Sequence, residues 1–211
     1  MLKRFFSIFR SLYRDIKFLA FVVIGSTKAK LFFYKQKVNK LEIGAGASEK
    51  KKDFITSDLS IKADYPFDFR LGLPFPNESL DLIYSEHVFE HFQYRELVSL
   101  LSDCYRSLKP NGVLSLVVPD ARIFLNAYFH PDEFDYKKYC QYDFGLSYKC
   151  RIDYVNYVFY MDGQHQYMFD DENILVLLRD MGFRDVQLRD FDPSMDQEAR
   201  QNISIYVEAR K

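Results

Sequence analysis

The sequence LEIGAG at residues 41–46 decides the fold of this 211-residue chain. Its apolar start predicts a buried strand that runs directly into Gly44 and Gly46, a pair that lets a ligand lie against bare backbone. Twelve residues after Gly46, Asp58 ends the next apolar stretch, where a carboxylate can accept hydrogen bonds from both hydroxyls of a ribose. The spacing therefore predicts a nucleoside site in an α/β sheet.

The glycine turn lacks one feature of dinucleotide-binding sites. The third glycine of their fingerprint is absent, because Glu49 stands at that position. A pyrophosphate binds to helix N-terminal amides with no carboxylate nearby, so Glu42 and Glu49 argue against NAD. The predicted ligand is a nucleoside without phosphates.

Four further motifs follow the glycine turn in a fixed order. Asp68 precedes the loop LPFP at residues 73–76, and YSEHVFEH occupies residues 84–91. CYRSLKPNGV follows at 104–113, and VVPD at 117–120. Each motif is weak by itself, but their order and spacing are specific together. This part of the chain resembles class I S-adenosylmethionine-dependent methyltransferases of the type 11 kind, which implies S-adenosylmethionine as the cofactor.

The resemblance implies a three-layer Rossmann-like α/β sheet, mostly parallel with an antiparallel last strand, and the hydrophobic pattern agrees with it. Strands are predicted near residues 38–44, 53–58, 64–69, 80–85 and 112–118, before a closing antiparallel pair at 183–190 and 203–210. Helices are predicted near 46–52, 87–108 and 170–181. The first of these helices is short, so another segment has to help close the cofactor pocket.

The resemblance also assigns positions to the cofactor. Backbone at the glycine turn would approach its methionine and ribose parts, Asp58 would accept the ribose hydroxyls, and Asp68 would accept the adenine amino group. Other side chains would bind the ammonium group, flank the adenine or line the end of the fourth strand. The implied positions are Glu42, Gly44, Ala45, Gly46, Asp58, Leu59, Asp68, Phe69, Ser85 and Glu86. The alternative for Asp58 and Asp68 is an ordinary turn or cap.

Methyl transfer to oxygen needs a base that removes the proton of the acceptor hydroxyl. Histidine has a near-neutral pKa, and we expect His87, His91 or His165, in that order, to be the catalytic base. The spacing of four places His87 and His91 on one helical face. Each histidine could instead cap the start of the helix or contact the cofactor.

Two histidines four residues apart are also compatible with a zinc site. A catalytic zinc needs a third convergent ligand, and the sequence offers only His130 or His165, at an unknown distance. We therefore predict no metal.

The first 40 residues are strongly basic. They hold ten Lys and Arg against Asp15 alone, a charge of +9, whereas the whole chain has a net charge of −1. The other 171 residues therefore carry a charge of −10, and an acidic domain repels phosphate backbones. Nucleic acid is not an expected partner.

Residues 1–35 are predicted to form a basic amphipathic helical segment ahead of a methyltransferase domain at 36–211. Such a helix can bind a membrane interface through residues 1–24, because each basic residue near an anionic leaflet contributes about 1 kcal/mol. The apolar run at 18–24 is too short to span a bilayer. The alternatives are packing on the domain itself or on a second subunit of a homodimer, and a secretory signal.

Residues 120–168 form an insertion on the acceptor side, after the fifth strand, that the sheet does not require. The insertion is rich in tyrosine and phenylalanine, and its position after a strand end places it over the pocket. Aromatic faces beside polar side chains suit sugar rings and other polyhydroxylated acceptors. Alternatively, the aromatic residues build a small subsidiary core, and we expect some of both.

Three functions agree with these features. The first is O-methylation of a sugar in a cell-surface glycan, its lipid-linked precursor or a nucleotide sugar, at the inner face of the membrane. The second is methylation of a soluble small molecule or a quinone-like lipid. The third is a methyltransferase-like binding protein without catalysis. Three cysteines without metal-ligand pairing suit a reducing compartment, so the expected location is cytoplasmic.

Overall fold

The computed structural model describes residues 39–46, 51–60 and 62–211, together with the isolated positions Leu19, Val23 and Thr27. Most of the predicted basic segment at 1–35 and of the predicted helix at 46–52 therefore lies outside the described residues. Within the described ranges, no helix is both long enough and apolar enough to cross a membrane.

The described chain forms one sheet of seven strands. The strands are β1 (Lys40–Ile43), β2 (Ile55–Asp58), β3 (Tyr65–Pro66), β4 (Leu80–Glu86), β5 (Leu108–Pro119), β6 (Arg184–Leu188) and β7 (Ser204–Arg210). Their order is β3-β2-β1-β4-β5-β7-β6. β7 is antiparallel to both of its neighbours, and the other pairings are parallel. This topology confirms the predicted Rossmann-like sheet with its antiparallel last strand.

Helices connect the strands of this sheet. The α-helices in the described ranges are α1 (Tyr94–Ser107), α2 (Ala121–Phe129), α3 (Tyr136–Tyr139), α4 (Ile152–Tyr160) and α5 (Asp171–Asp180). Short 3₁₀ turns lie at Phe69–Leu71, Phe89–His91, Pro131–Glu133, Met161–Gly163 and Glu198–Arg200. α1 begins with a capping box between Gln93 and Glu96, which satisfies amides that its first turn would otherwise leave unpaired.

The prediction of one helix over 87–108 is wrong at its start. β4 ends at Glu86, and His87 turns the chain with a left-handed φ of +53°. The His87 amide donates to the Val117 carbonyl of β5 at 2.8 Å, which holds His87 against the sheet. α1 begins only at Tyr94, so His87 and His91 do not share a helical face.

The main core packs α1 and α5 against the sheet. α1 buries Leu97, Leu100, Leu101 and Cys104, whose spacing places them on one face of the helix. Full burial of a leucine side chain contributes about 1.5–3 kcal/mol to stability. This packing fixes the elements whose ends carry the candidate site.

α2, α3 and α4 belong to the predicted insertion, which leaves and rejoins the sheet at one point. Asp120 pairs with Phe169 as an isolated parallel bridge, and the Ala121 amide donates to the Phe169 carbonyl at 2.9 Å. Inside the insertion, a second small core is centred on Phe124 and Tyr157, whose rings stack 5.9 Å apart. Many of the aromatic residues therefore have a structural role, which was one of the two predicted alternatives.

Candidate active site

A cavity of about 330 Å³ opens beside the carboxyl ends of β1, β2 and β4, and we call it the glycine-side cavity. Open α/β sheets bind their ligands at this edge. Five of the ten positions that the sequence assigned to the cofactor line it. The lining residues are Gly44, Asp58, Leu59, Asp68, Phe69, Arg70, His87, Val88, His91 and Phe92.

Gly44 is the position in this cavity that requires glycine. Its φ is +76°, and its amide donates to the Ser57 carbonyl of β2 at 2.7 Å. A Cβ atom at this position would stand 2.1 Å from Cγ2 of Val88. Both the backbone conformation and the close approach of Val88 therefore exclude a side chain.

Asp58 is held in place by the turns on either side of it. Its Oδ2 accepts the Gly46 amide at 3.0 Å, and its Oδ1 accepts the Ser60 amide at 2.6 Å. Leu59, the next residue, is 58% exposed at the cavity. Asp58 therefore has the turn role that was the alternative to cofactor binding. The same carboxylate also lines the cavity.

Asp68 also has the capping role that was its alternative. It is buried, caps the 3₁₀ turn at Phe69–Leu71 by accepting the Arg70 amide at 3.0 Å, and forms an ion pair with the Arg70 guanidinium. The Arg70 side chain is 54% exposed. An adenine amino group could reach Asp68 only by sharing the carboxylate with this half-exposed guanidinium or by displacing it.

The structure places the other five predicted cofactor positions outside the described lining of the glycine-side cavity. Buried Glu42 forms an ion pair with Lys51, and Ser85 donates to the Ile43 carbonyl at 3.1 Å. Glu86 accepts the Tyr84 hydroxyl at 2.9 Å. Ala45 and Gly46 belong to the turn beside the cavity.

A second cavity, of about 340 Å³, lies under the insertion, and we call it the aromatic cavity. The insertion supplies its aromatic side chains of Phe and Tyr, and the loop before β7 supplies Arg200, the one arginine among the described lining residues. The lining residues are His87, Glu90, His91, Pro119, Phe124, Tyr139, Gln141, Tyr142, Phe144, Tyr157, Val158, Met161, Gln164, His165, Arg200 and Ile203. Some aromatic residues of the insertion therefore face a cavity, whereas others build the small core around Phe124 and Tyr157. The sequence analysis expected some of both.

His87 and His91 line both cavities. His165 joins them from the segment after α4, because the amides of Gln166 and Tyr167 donate to the Glu90 carbonyl at 2.7 and 3.1 Å. The rings of His91 and His165 then meet edge to face, with centroids 5.0 Å apart. The structure thus brings the three predicted histidines together between the two cavities.

Residues 36–116 match the family model for the type 11 methyltransferase domain. The chain carries a type 11 methyltransferase domain. It is an S-adenosylmethionine-dependent methyltransferase, with S-adenosylmethionine as its cofactor and a small molecule or another group as its acceptor. The match ends before the insertion. A comparison with curated proteins gave no match.

Solved structures have the same fold as this methyltransferase. An S-adenosylmethionine-dependent methyltransferase of Archaeoglobus fulgidus is 19% identical with a TM-score of 0.51, over 88% of this chain and 93% of the other. A Thermotoga maritima protein described as a possible histamine N-methyltransferase is 19% identical with a TM-score of 0.51, over 100% of both chains. A Mesorhizobium loti methyltransferase is 15% identical with a TM-score of 0.51, over 83% and 93%. At these identities the likeness shows the fold alone.

The methyltransferase also places Glu90 among its histidines, a position that the sequence analysis did not select. Glu90 is fully buried, and neither of its carboxylate oxygens has a hydrogen-bond partner among the described residues. Its Oε1 lies 3.8 Å from Nδ1 of His87 and 3.9 Å from Nε2 of both His91 and His165. The repeated His and Glu in YSEHVFEH were the only sequence signal for this arrangement.

Burial controls the protonation of this cluster. It raises the pKa of Glu90 to about 8 and lowers the pKa of His165 to about 4. Burial, together with the nearby charge of Arg200, also lowers the pKa of His87 well below its usual value and lowers the pKa of His91. The lowered pKa values favour the neutral form of His87, His91 and His165, in which one ring nitrogen keeps a lone pair.

Arg200 is the second residue that the sequence analysis missed. It lies in the aromatic cavity, and its Nη1 donates to the Glu86 carbonyl at 3.2 Å. No motif marks it, because it reaches the site only through the antiparallel return of the chain into β7.

Proposed function

We propose that this methyltransferase transfers the methyl group of S-adenosylmethionine to a hydroxyl of a sugar. The sugar would belong to a cell-surface glycan, to its lipid-linked precursor or to a nucleotide sugar. One observation carries the proposal: the glycine-side cavity and the aromatic cavity share His87 and His91. A cofactor in the first cavity and an acceptor in the second would therefore meet at these two side chains.

The cofactor in this proposal lies along the glycine-side cavity. Gly44 would offer bare backbone to its methionine part, Asp58 would accept its ribose hydroxyls, and Leu59 and Phe69 would flank its adenine, since all four line this cavity. Asp68 would accept the adenine amino group if Arg70 shared or released the carboxylate. The resemblance also assigns Glu42, Ala45, Gly46, Ser85 and Glu86 to the cofactor, and this assignment stays a proposal because none of the five is in the described lining of the cavity.

The reaction is an in-line displacement. The acceptor oxygen forms a bond to the methyl carbon while the carbon–sulfur bond breaks, and its electron pair remains on sulfur, which leaves S-adenosylhomocysteine. The hydroxyl proton passes to a neutral histidine. His87 is our first choice as this base because it lines both cavities, and its lowered pKa leaves the ring without a proton before the reaction; His91, which also lines both cavities, and His165 follow.

The acceptor in this proposal is a sugar, because the aromatic cavity combines ring faces with hydrogen-bonding groups. Tyr139, Tyr142 and Phe144 offer faces on which a sugar ring can stack, and Gln141 offers an amide. Arg200 adds a positive charge that suits a phosphate-linked or acidic sugar. The same aromatic walls favour a second candidate, a flat quinone-like lipid head group.

The experiment is an assay of S-adenosylhomocysteine release with a panel of acceptors. The panel contains nucleotide sugars, lipid-linked oligosaccharides, quinol head groups and a small-amine set. Release with a sugar and methylation of its oxygen, located by mass spectrometry, support the proposal. Release with a quinol alone favours the second candidate, and cofactor binding without release for any acceptor favours a binding protein.

The proposed location is the cytoplasmic face of the membrane, with residues 1–35 as a basic helical segment, residues 1–24 as its membrane contact, and residues 36–211 as the catalytic domain. The support is the charge of +9 in the first 40 residues. We expect the full chain to float with anionic vesicles but not with neutral ones. Replacement of Lys3, Arg4, Arg10, Arg14 and Lys17 by Gln should abolish flotation, and persistent flotation would contradict the contact.

A further inference from the structure

Glu90 is a buried acid, and among the described residues neither of its carboxylate oxygens has a hydrogen-bond partner. Three histidine nitrogens point at its Oε1 from 3.8 to 3.9 Å, which is too far for a hydrogen bond. Burial of a carboxylate without a partner is costly unless it is neutralised by a proton or by a cation. Which of the two applies depends on whether the three histidine nitrogens that face Glu90 carry a proton or a free lone pair.

Each histidine donates its other ring nitrogen to an oxygen that accepts. Nδ1 of His91 lies 3.0 Å from the Gln164 carbonyl, and Nδ1 of His165 contacts the Val158 carbonyl at 2.5 Å. A carbonyl only accepts, so both Nδ1 atoms carry the proton. Both Nε2 atoms are therefore bare, and they face Glu90.

His87 is oriented in the same way. Its Nε2 lies 2.7 Å from the Ser204 hydroxyl, which itself donates to the Arg200 carbonyl at 2.8 Å. Because that hydroxyl has used its proton, His87 donates from Nε2 and turns a bare Nδ1 toward Glu90. Three of the four histidines of the chain thus present lone pairs to one carboxylate.

We propose that Glu90, His91 and His165 bind a divalent transition-metal ion such as Zn²⁺ at the floor of the aromatic cavity. Their ligand atoms all lie within 4.8 Å of one another. Zn²⁺ binds His nitrogen and carboxylate oxygen at about 2.0–2.2 Å, so its ligand atoms stand roughly 3.3–3.5 Å apart. The two distances of 3.9 Å from Glu90 to His91 and His165 would have to shorten by about half an ångström, and a pair of ligand atoms at the 4.8 Å limit by somewhat more than one ångström, to complete the site.

The hydrogen bonds around His91 and His165 are typical of histidines that bind a metal ion. Ligating histidines usually donate their second nitrogen to a carbonyl or another acceptor, as His91 and His165 do here. Two histidines and one carboxylate leave a zinc coordination position open, and the His91 side chain is 36% exposed toward the cavities. The sequence analysis left the distance of His165 open, and folding brings its ring to within 5.0 Å of the His91 ring, between centroids. The prediction of no metal is therefore the alternative that the titration below tests.

The open position faces the place where the acceptor would bind. A hydroxyl oxygen bound there would lose its proton more easily, and His87 would remain free to take that proton. This consequence rests on the proposed function. Binding of the ion itself does not, because the site needs neither the cofactor nor the acceptor.

The test is titration of the chelator-treated full chain with ZnCl₂ by calorimetry, with metal counted by mass spectrometry after dialysis. We expect one zinc per chain. His91→Ala and Glu90→Gln should raise the zinc dissociation constant by roughly 100-fold or more, since even loss of an outer-shell partner costs 10–100-fold. His130→Ala is the matched control, because His130 is exposed and lies outside the cluster; it should bind as the unmodified chain does.

A second measurement needs no variant. Co²⁺ bound by two imidazoles and a carboxylate in a site of low coordination number gives visible absorption bands that aqueous Co²⁺ lacks. Absence of these bands and of zinc binding in the unmodified chain would overturn the proposal, as would equal zinc binding by Glu90→Gln. Titration with S-adenosylhomocysteine in chelator separates the two outcomes, because cofactor binding should persist without metal.

Discussion

The glycine-side cavity takes its lining from residues 44–92, whereas the aromatic cavity takes its lining from residues 87–203. The first is built from strand ends and the turns that directly follow them. The second needs the insertion, the segment around His165 and the loop before β7, which meet only in the folded chain. The difference shows that the cofactor side depends on local geometry, whereas the acceptor side depends on long-range packing.

The family match follows the same division. It covers residues 36–116, and therefore the glycine-side cavity, but not the insertion or Arg200. The two cavities share His87 and His91, so these residues belong to both regions. Substitutions on either side of this boundary should affect binding of the cofactor and use of the acceptor separately.

His87→Asn should have the largest effect. Asparagine tolerates the left-handed conformation of His87 and keeps a polar group for Ser204, but it is not a base. We expect the turnover rate with the identified acceptor to fall by about 10²–10⁴-fold. The affinity for S-adenosylhomocysteine should change by only a few-fold. An unchanged rate would remove His87 as the base.

Gly44→Ala should have the second largest effect. Among the functional properties, it should weaken cofactor binding and not acceptor binding. Its Cβ would collide with Val88, and its backbone would pay about 1–2 kcal/mol for a left-handed conformation. We expect the affinity for S-adenosylhomocysteine to fall by at least about 100-fold, and the free energy of unfolding to fall as well.

Gly145→Ala is the matched control for this collision. Gly145 also has a positive φ, of +70°, but no atom of the residues that the structure describes lies within 4 Å of its Cβ position. It should show the conformational cost of about 1–2 kcal/mol and no loss of cofactor affinity. Equal cofactor affinities of the two variants in calorimetry would contradict the close fit at Gly44.

Tyr142→Ala should act on the acceptor side alone. Tyr142 is 55% exposed and lines the aromatic cavity, so its loss should cost little stability. We expect the KM for the acceptor to rise by about tenfold, the value of one aromatic contact, with cofactor affinity unchanged. Tyr160→Ala, an exposed tyrosine of α4 outside the lining, should leave both constants unchanged.

The smallest expected effect is a difference in labelling rate among the three cysteines. It reports how tightly α1 and the insertion are packed. Burial raises the pKa of the Cys104 thiol in α1, and it raises the pKa of Cys140 to about 12, whereas Cys150 in the insertion is exposed. A raised pKa keeps a thiol protonated and unreactive until the pH approaches it. At pH 8, a disulfide reagent should label Cys150 first. Fast labelling of Cys104 would contradict the packing of α1.

The sheet and the glycine-side cavity could be predicted because their signals are local. Gly44 and Asp58 lie directly at strand ends, and strand ends determine where parallel sheets place their ligands. The start of α1 was predicted too early, because the hydrogen bond from His87 to Val117 crosses from one strand to another. Sequence periodicity cannot register such a contact.

The cluster around Glu90 could not be predicted for a related reason. Glu90 follows a strand end as an ordinary charged residue would, but it is buried, and its carbonyl accepts the amides of Gln166 and Tyr167. These partners arrive only after the whole insertion. The same packing turns His165 from a residue of unknown distance into a direct neighbour of His91.

The most direct test of the account is calorimetric titration of the full chain with S-adenosylhomocysteine, with Asp58→Ala and Tyr142→Ala beside it. We predict micromolar binding by the unmodified chain, a loss of about 10–100-fold in Asp58→Ala from its ribose hydrogen bonds, and no change in Tyr142→Ala. A melting curve of each variant controls for folding. No binding by the unmodified chain, or equal binding by Asp58→Ala, would contradict the assignment of the cofactor to the glycine-side cavity.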